Sequence, residues 1–176
     1  MLKRIVFVGL TAAIVVVATA CDVDQVPTLS VDLDKVVSTR VVQSVDWISS
    51  AGQPDKAALE VFAEQGYTTV IDLRTKDEDR GVDEAAIIAD LGMDYVVFPI
   101  EKIEEINFDN AGKLDELIAA SKGPVLVHCA SGNRVGALLA LRRSLDGADD
   151  ATAIAYGKEG GMTGLEDHVR DTLSKK

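Results

Sequence analysis

The stretch from Pro124 to Leu145, PVLVHCASGNRVGALLALRRSL, constrains the fold of this 176-residue chain more than any other part of it. Pro124 to Val127 is a short apolar run of the kind that fills a parallel strand buried on both faces. A tight loop containing Gly132 follows, and helical spacing then holds from Arg134 to Leu145. A buried strand that feeds a helix through a tight loop is half of a βαβ unit, so the chain is committed to an α/β sheet. The remaining strand candidates are Asp46 to Ser50 (DWISS), Thr68 to Leu73 (TTVIDL) and Tyr95 to Ile100 (YVVFPI), the last closed by Pro99.

Helical patterns separate these runs. The turn Ala51-Gly52-Gln53-Pro54 opens a helix with Pro54 near its first position and a stripe of Ala57, Ala58, Val61 and Phe62, ending at Gly66. Asp83 to Leu91 is a second helix closed by Gly92, and Asp109 to Ser121 a third with its apolar face at Leu114, Leu117 and Ile118. Arg74 to Arg80 is a charged loop, and two shorter helices are expected after Leu145. No internal repeat interrupts the alternation. The expected fold class is α/β: three layers, with a mostly parallel central sheet of four to five strands flanked by helices and joined by right-handed crossovers.

The first twenty residues stand apart. Lys3 and Arg4 precede an apolar run from Ile5 to Val17, and Ala18-Thr19-Ala20 leads to Cys21. The run is short for a bilayer span and ends in small residues, so residues 1–20 are expected to be an export signal peptide. Two cleavage readings exist. Ala18-x-Ala20 fits ordinary signal peptidase, whereas the same residues before Cys21 resemble a bacterial lipobox, although Ala18 stands where Leu is usual. A cysteine at the cut favours the second, which makes Cys21 a lipid anchor. Asp22 resembles an inner-membrane retention signal. Residues 21–38 are polar and acidic, contain Pro27, and read as a tether, leaving 39–176 as the globular domain. The expected location is the periplasmic side of a bacterial membrane, with the lipidated Cys21 making the membrane a partner.

Charge and composition exclude several classes. Without residues 1–20 the chain has 16 basic and 29 acidic residues, a net charge of −13, where a nucleic-acid binder needs a basic face. Two cysteines cannot build a disulfide framework. His128 and His168 are the only histidines, so a His-rich metal site is excluded, and no metal or cofactor is expected.

Chemistry concentrates in His128-Cys129-Ala130-Ser131-Gly132-Asn133-Arg134. A loop between strand and helix N-terminus aims consecutive N–H groups at one point, and the helix dipole adds positive potential there. Cys129 opens the loop and Arg134 closes it. Such surroundings favour a thiolate, the competent nucleophile, and a planar guanidinium can hold two oxygens of an oxyanion. Gly132 allows the positive φ that the reversal needs. Each residue also has a plainer reading. A lone buried cysteine is often only a small hydrophobe, and His128 fits a core histidine that shapes the loop. An arginine at a helix N-terminus is unfavourable unless an anion offsets it. Arg74 lies at a strand's C-terminal end, where α/β sites form, but loop arginines are common.

Together these segments resemble the cysteine-dependent protein phosphatases of the compact dual-specificity type. They are most similar to the bacterial phosphatase-like domains grouped with the beta-lactamase-hydrolase-like proteins. The resemblance covers about residues 42–147 and rests on SAGQP (Ser50 to Pro54), VIDLR (Val70 to Arg74), GMDYVVFPI (Gly92 to Ile100) and HCASGNR. It implies a hydrolase of a phosphomonoester working through a phosphocysteine intermediate. In that reading Cys129 is the nucleophile, Ala130, Ser131, Gly132, Asn133 and Arg134 hold the phosphate, and His128 supports the loop. The partner would be a phosphorylated substrate of unstated identity.

Three departures bear on this reading. The family has five residues between Cys and Arg, and this chain has four, Ala130 to Asn133. Val135 stands where a Ser or Thr normally stabilises the departing thiolate. The usual aspartic general acid is replaced, after Phe98-Pro99-Ile100, by Glu101, with Glu104, Glu105 and Asp109 nearby; Glu101 is the expected proton donor. The shorter loop matches rhodanese-type sulfurtransferases, so a Cys129 persulfide is the alternative. A non-catalytic module that binds an oxyanion is a third possibility.

Overall fold

The computed structural model describes residues 42–45 and 47–176. The expected signal peptide (1–20), the expected tether (21–38) and Cys21 lie outside the described residues. Among the described residues five strands form one sheet: β1 (Val42–Val45), β2 (Ile48–Ala51), β3 (Thr69–Asp72), β4 (Asp94–Val97) and β5 (Val125–His128). Their spatial order is β1-β2-β5-β3-β4. β2, β5, β3 and β4 run parallel, and β1 pairs antiparallel with β2 at the edge. The helices are α1 (Lys56–Glu64), α2 (Glu84–Asp90), α3 (Phe108–Ala119), α4 (Asn133–Leu145), α5 (Asp150–Glu159) and α6 (Glu166–Leu173), with a 3-10 turn at Ile103–Glu105.

Strand alternation assigns the two faces. Ile71, Val125 and Val127 pack with residues of α3, α4, α5 and α6, whereas Val70 and Leu126 pack with Leu59 and Phe62 of α1 and Ile88 of α2. The three-layer α/β expectation therefore holds, with the extra hairpin strand β1 supplying the fifth strand. β3 and β5 are buried at all four positions, as central parallel strands require.

Several boundaries differ from the sequence expectation, each for a local reason. α1 begins two residues later than its proline suggests, because Asp55 caps it: the carboxylate accepts the Ala58 N–H at 2.8 Å. Pro54 thus precedes the cap. The helix buries Leu59 and leaves Ala57 exposed, a rotation of the expected stripe by part of a turn. β4 stops at Val97 rather than Ile100, although the N–H groups of Phe98 and Ile100 still donate to the Asp72 and Leu73 carbonyls at 2.9 and 3.0 Å. α4 is buried continuously from Val135 to Leu141, the property of a helix packed on all sides. Among the described residues no helix is long and apolar enough to cross a membrane.

Candidate active site

β5 sits centrally, and its C-terminal end delivers Cys129 to the carboxyl edge of the sheet, where α/β proteins place their sites. Cys129 is 1% exposed and not disulfide-bonded. Its N–H donates to the Ala51 carbonyl at 3.3 Å, which anchors the start of the loop to β2. Gly132 has φ 83° and precedes the first residue of α4; its N–H points back to Cys129 Sγ at 3.1 Å. The SAGQP turn is stitched to the loop: Gln53 N–H donates to the Ala130 carbonyl at 3.3 Å, and Gly52 pairs with Ser131. Ala130 and Ser131 face solvent. Asn133 and Arg134 open α4, so their N–H groups have no carbonyl within the helix to receive them. The Asn133 side chain is turned away, its Oδ1 accepting the Thr163 N–H at 2.8 Å.

Arg134 comes to Cys129, as the loop pattern requires, and it also meets a residue that the sequence did not single out. Glu78, in the charged loop after β3, forks onto the guanidinium: Nη1 donates to Oε1 at 2.7 Å and Nη2 to Oε2 at 2.6 Å. Nη1 also donates to the carbonyls of Leu73 at 3.3 Å and Ile100 at 3.1 Å. These bonds consume the Nη1 edge. The Nε hydrogen and the second Nη2 hydrogen lie on another edge, outside the fork with Glu78, two parallel donors suited to two oxyanion oxygens. Hydrogen bonding to Glu78 and the neighbouring Cys129 sulfur push the Arg134 guanidinium further into its charged form. Conversely, hydrogen bonds from Arg134 and the Thr75 N–H hold the Glu78 carboxyl below the usual range. The anion needed to offset an arginine at a helix N-terminus is thus Glu78. The loop's acidic composition at a strand end was the available signal, but it does not tell Asp77, Glu78 and Asp79 apart.

A cleft of about 480 Å³ opens beside this pair, lined by Glu78, Glu101, Arg134, Ile100, Ile103 and Leu165 among others. Glu101 is exposed on its rim. The other acidic candidates are placed differently. Glu105 Oε2 accepts the N–H groups of Glu101 at 2.6 Å and Lys102 at 3.2 Å. The Glu104 side chain is exposed, and Asp109 lies in the first turn of α3; neither lines the cleft.

Beneath the loop lies a buried ionic network. Asp72, at the end of β3, is in register with His128 on β5. Its carboxylate accepts the Arg74 N–H and Nε at 2.9 Å, Arg74 Nη2 at 2.9 Å, Tyr95 Oη at 2.7 Å and Arg80 Nη1. Arg74, fully buried, also donates to Glu84 of α2. Burial, the largest single influence, would raise the Asp72 carboxyl, but the Arg74 side-chain and backbone hydrogen bonds, the His128 ring and the Tyr95 hydroxyl together outweigh it and hold the group well below the carboxylate range. Burial and the bond to Asp72 push the Tyr95 phenol up. Arg74 is therefore a structural ion rather than a loop-surface residue. His128 is fully buried, its Nε2 lying 3.1 Å from Glu84 Oε1 and 3.8 Å from Asp72 Oδ1. The ring faces this network. Asp72, Glu84 and His128 are close enough to hold a cation, but Arg74 donates to both carboxylates, so a metal would have to displace a guanidinium.

The C-terminal elements buttress the cradle from the other side. Gly161, with φ 94°, packs on Gly132, and the Ser50 hydroxyl donates to the Gly160 carbonyl at 2.6 Å. The sequence signal was Gly160-Gly161 itself.

Comparison with known proteins agrees with this geometry. A family model described as a DSP-PTPase phosphatase fused to NAD+ kinase matches residues 36–168. A beta-lactamase hydrolase-like protein of Xylella fastidiosa is 33% identical over 126 residues, covering 66% of this chain and 28% of the relative. A relative of the same description in Agrobacterium fabrum is 28% identical over 128 residues, covering 70% of this chain and 30% of its own length. The chain thus spans under a third of the relatives it matches. Among solved structures, a phosphatase candidate from Neisseria meningitidis superposes with TM-score 0.61 at 20% identity, covering 71% of this chain and 92% of its own.

Proposed function

The chain belongs to the family of dual-specificity-type protein phosphatases described as fused to NAD+ kinase, and from that membership we propose that it hydrolyses a phosphomonoester through Cys129. The observation that carries the reading is the junction of β5 and α4. There a buried Cys129 sulfur, the Gly132 N–H at 3.1 Å from it and the neighbouring Arg134 guanidinium converge. Cys129 Sγ attacks phosphorus while loop N–H groups and the Arg134 Nε/Nη2 edge hold the equatorial oxygens. The phosphorus–oxygen bond to the leaving group breaks, and Glu101, on the cleft rim, gives that oxygen a proton. Water then attacks phosphorus and gives a proton back to Glu101 as the sulfur–phosphorus bond breaks, releasing phosphate and the Cys129 thiolate. Purified protein lacking the signal segment is expected to hydrolyse p-nitrophenyl phosphate. Cys129→Ser abolishes turnover, and Arg134→Lys lowers kcat/KM by about 10²–10³-fold because an ammonium cannot supply two parallel donors. Turnover unaffected by Cys129→Ser would sink the proposal, and protection of Cys129 from iodoacetamide by phosphate without any turnover would mark a binding module instead.

A second reading rests on one specific observation. Only four residues separate Cys129 from Arg134, and the fully buried Val135 offers no hydroxyl to a departing thiolate. A smaller ring suits a sulfur atom carried as a Cys129 persulfide, which needs neither proton donor nor hydroxyl. Thiocyanate formation from thiosulfate and cyanide, with a gain of about 32 Da on Cys129, would select it over the phosphatase reading.

The N-terminal residues support a further proposal, that the protein is exported and anchored to the membrane through Cys21. Full-length protein expressed in a bacterium is expected in the membrane fraction, and Cys21→Ser should release it; a soluble cytoplasmic wild type would overturn the proposal.

A further inference from the structure

The segment that carries Glu101 is fastened at two points, and the second is a neighbouring carboxylate. On one side Ile100 is tied to the body of the site: its N–H donates to the Leu73 carbonyl at 3.0 Å, and its own carbonyl accepts Arg134 Nη1 at 3.1 Å. On the other side Glu105 Oε2 receives the Glu101 N–H at 2.6 Å and the Lys102 N–H at 3.2 Å, while the Glu105 N–H donates to the Lys102 carbonyl at 3.1 Å. The 3-10 turn thus closes on itself around the Glu105 carboxylate. Glu105 is held in turn, since Asn110 Nδ2 donates to its carbonyl at 2.8 Å. Asn107 both donates to the Glu104 carbonyl at 2.8 Å and caps α3 by accepting the Asn110 N–H at 2.9 Å. His168 of α6 holds the end of the turn, Nε2 lying 3.0 Å from the Ile106 carbonyl.

A carboxylate that accepts two N–H bonds is engaged as an acceptor and has no proton to give. Those bonds hold the Glu105 carboxyl below its usual range. We infer that Glu105 is a positioning residue, which fixes the Glu101 peptide relative to Arg134 and so aims the Glu101 carboxyl into the cleft. The inference rests on the reading of Glu101 as proton donor. It also separates two of the acidic residues that crowd this turn: Glu101 lines the cleft, and Glu105 faces its own backbone.

The test is leaving-group dependence. Proton donation matters little when 4-nitrophenolate departs and much when phenolate does. Glu101→Gln is expected to lower kcat/KM for phenyl phosphate by about 10²-fold or more, with a far smaller loss for 4-nitrophenyl phosphate. Glu105→Ala should show the same selectivity at about tenfold on phenyl phosphate, and Glu105→Gln, which keeps an acceptor oxygen, should recover part of it. The double variant Glu101→Gln/Glu105→Ala should be no slower on phenyl phosphate than Glu101→Gln alone, because Glu105 acts through Glu101. Equal losses on both substrates in Glu105→Ala, or additive losses in the double variant, would overturn the positioning role while leaving Glu101 in place. A Glu101→Gln enzyme with no selective loss would remove the proton donor itself, and the positioning role with it, without touching Cys129.

Discussion

Arg134 carries a positive charge into the N-terminus of a helix, where the dipole opposes it. Glu78 answers that cost with a two-point fork and thereby selects which guanidinium edge lies outside the fork. The pair is partly exposed, so its share of global stability is small. Its effect belongs to geometry, because a guanidinium released from the fork can swing off the line between Cys129 and an incoming oxyanion. Glu78→Gln is therefore expected to lower kcat/KM by about 10–100-fold through kcat more than KM, with a shift of only a few degrees in Tm. Steady-state kinetics beside thermal unfolding would check both, and a large Tm loss with unchanged kcat would contradict the assignment. Cys129 and Arg134 could be found from the sequence because one loop holds them with four residues between. Glu78 could not, since its contact bridges 56 positions and nothing local distinguishes it from Asp77 or Asp79. Arg74 was visible only as a charged residue after a strand. Its burial depends on Glu84, ten positions onward in another element.

Element by element, the parallel strands were legible because burial on both faces leaves an apolar, β-branched run, as in TVID and VLVH. β1 was missed, since Val42–Val45 is a short edge strand whose partner is a hairpin neighbour rather than a core layer. The packing of α4 was legible only as an apolar helix; what it packs against is set by glycines. A Cβ on Gly136 would lie 2.2 Å from Met162 N and 2.4 Å from the Gly157 carbonyl, so α4 and the α5 end meet backbone to backbone. No rotamer relieves a clash with backbone atoms, and the two segments would have to separate. Gly136→Ala is expected to cost about 1–3 kcal/mol or more, measured by urea unfolding. The Met162 segment continues through Gly161, which packs on Gly132 of the cysteine loop, so residual activity should fall as well. Gly147→Ala serves as the comparison: it has φ 92° but nothing within 4 Å of an added Cβ, so it strains only its own turn and should leave activity unchanged.

For the whole molecule, the ionic network and the cradle make stability depend on acid. The Asp72 and Glu78 carboxyls are both depressed, one by Arg74 against the opposing effect of burial and the other by Arg134. In the unfolded chain each would bind a proton at the ordinary carboxylate value, so below it the unfolded state holds more protons than the native one. Stability contributed by these groups is then fully present above that value and is lost as pH falls toward the depressed native values. The excess of acidic over basic residues acts differently, because repulsion among carboxylates is relieved by mild acid. Above about pH 5 neither effect changes much; the two oppose each other only near the ordinary carboxylate value, and the paired carboxylates dominate below about pH 4. The urea midpoint should therefore change little from pH 7 to about 5 and drop steeply below about pH 4. Glu78→Gln removes one of the linked protons, so its acid limb should be shallower than that of the wild type even if its midpoint at pH 7 is slightly lower. Parallel acid limbs in the two proteins would show that the Glu78–Arg134 pair is not coupled to folding, and would confine its role to the geometry of the cleft.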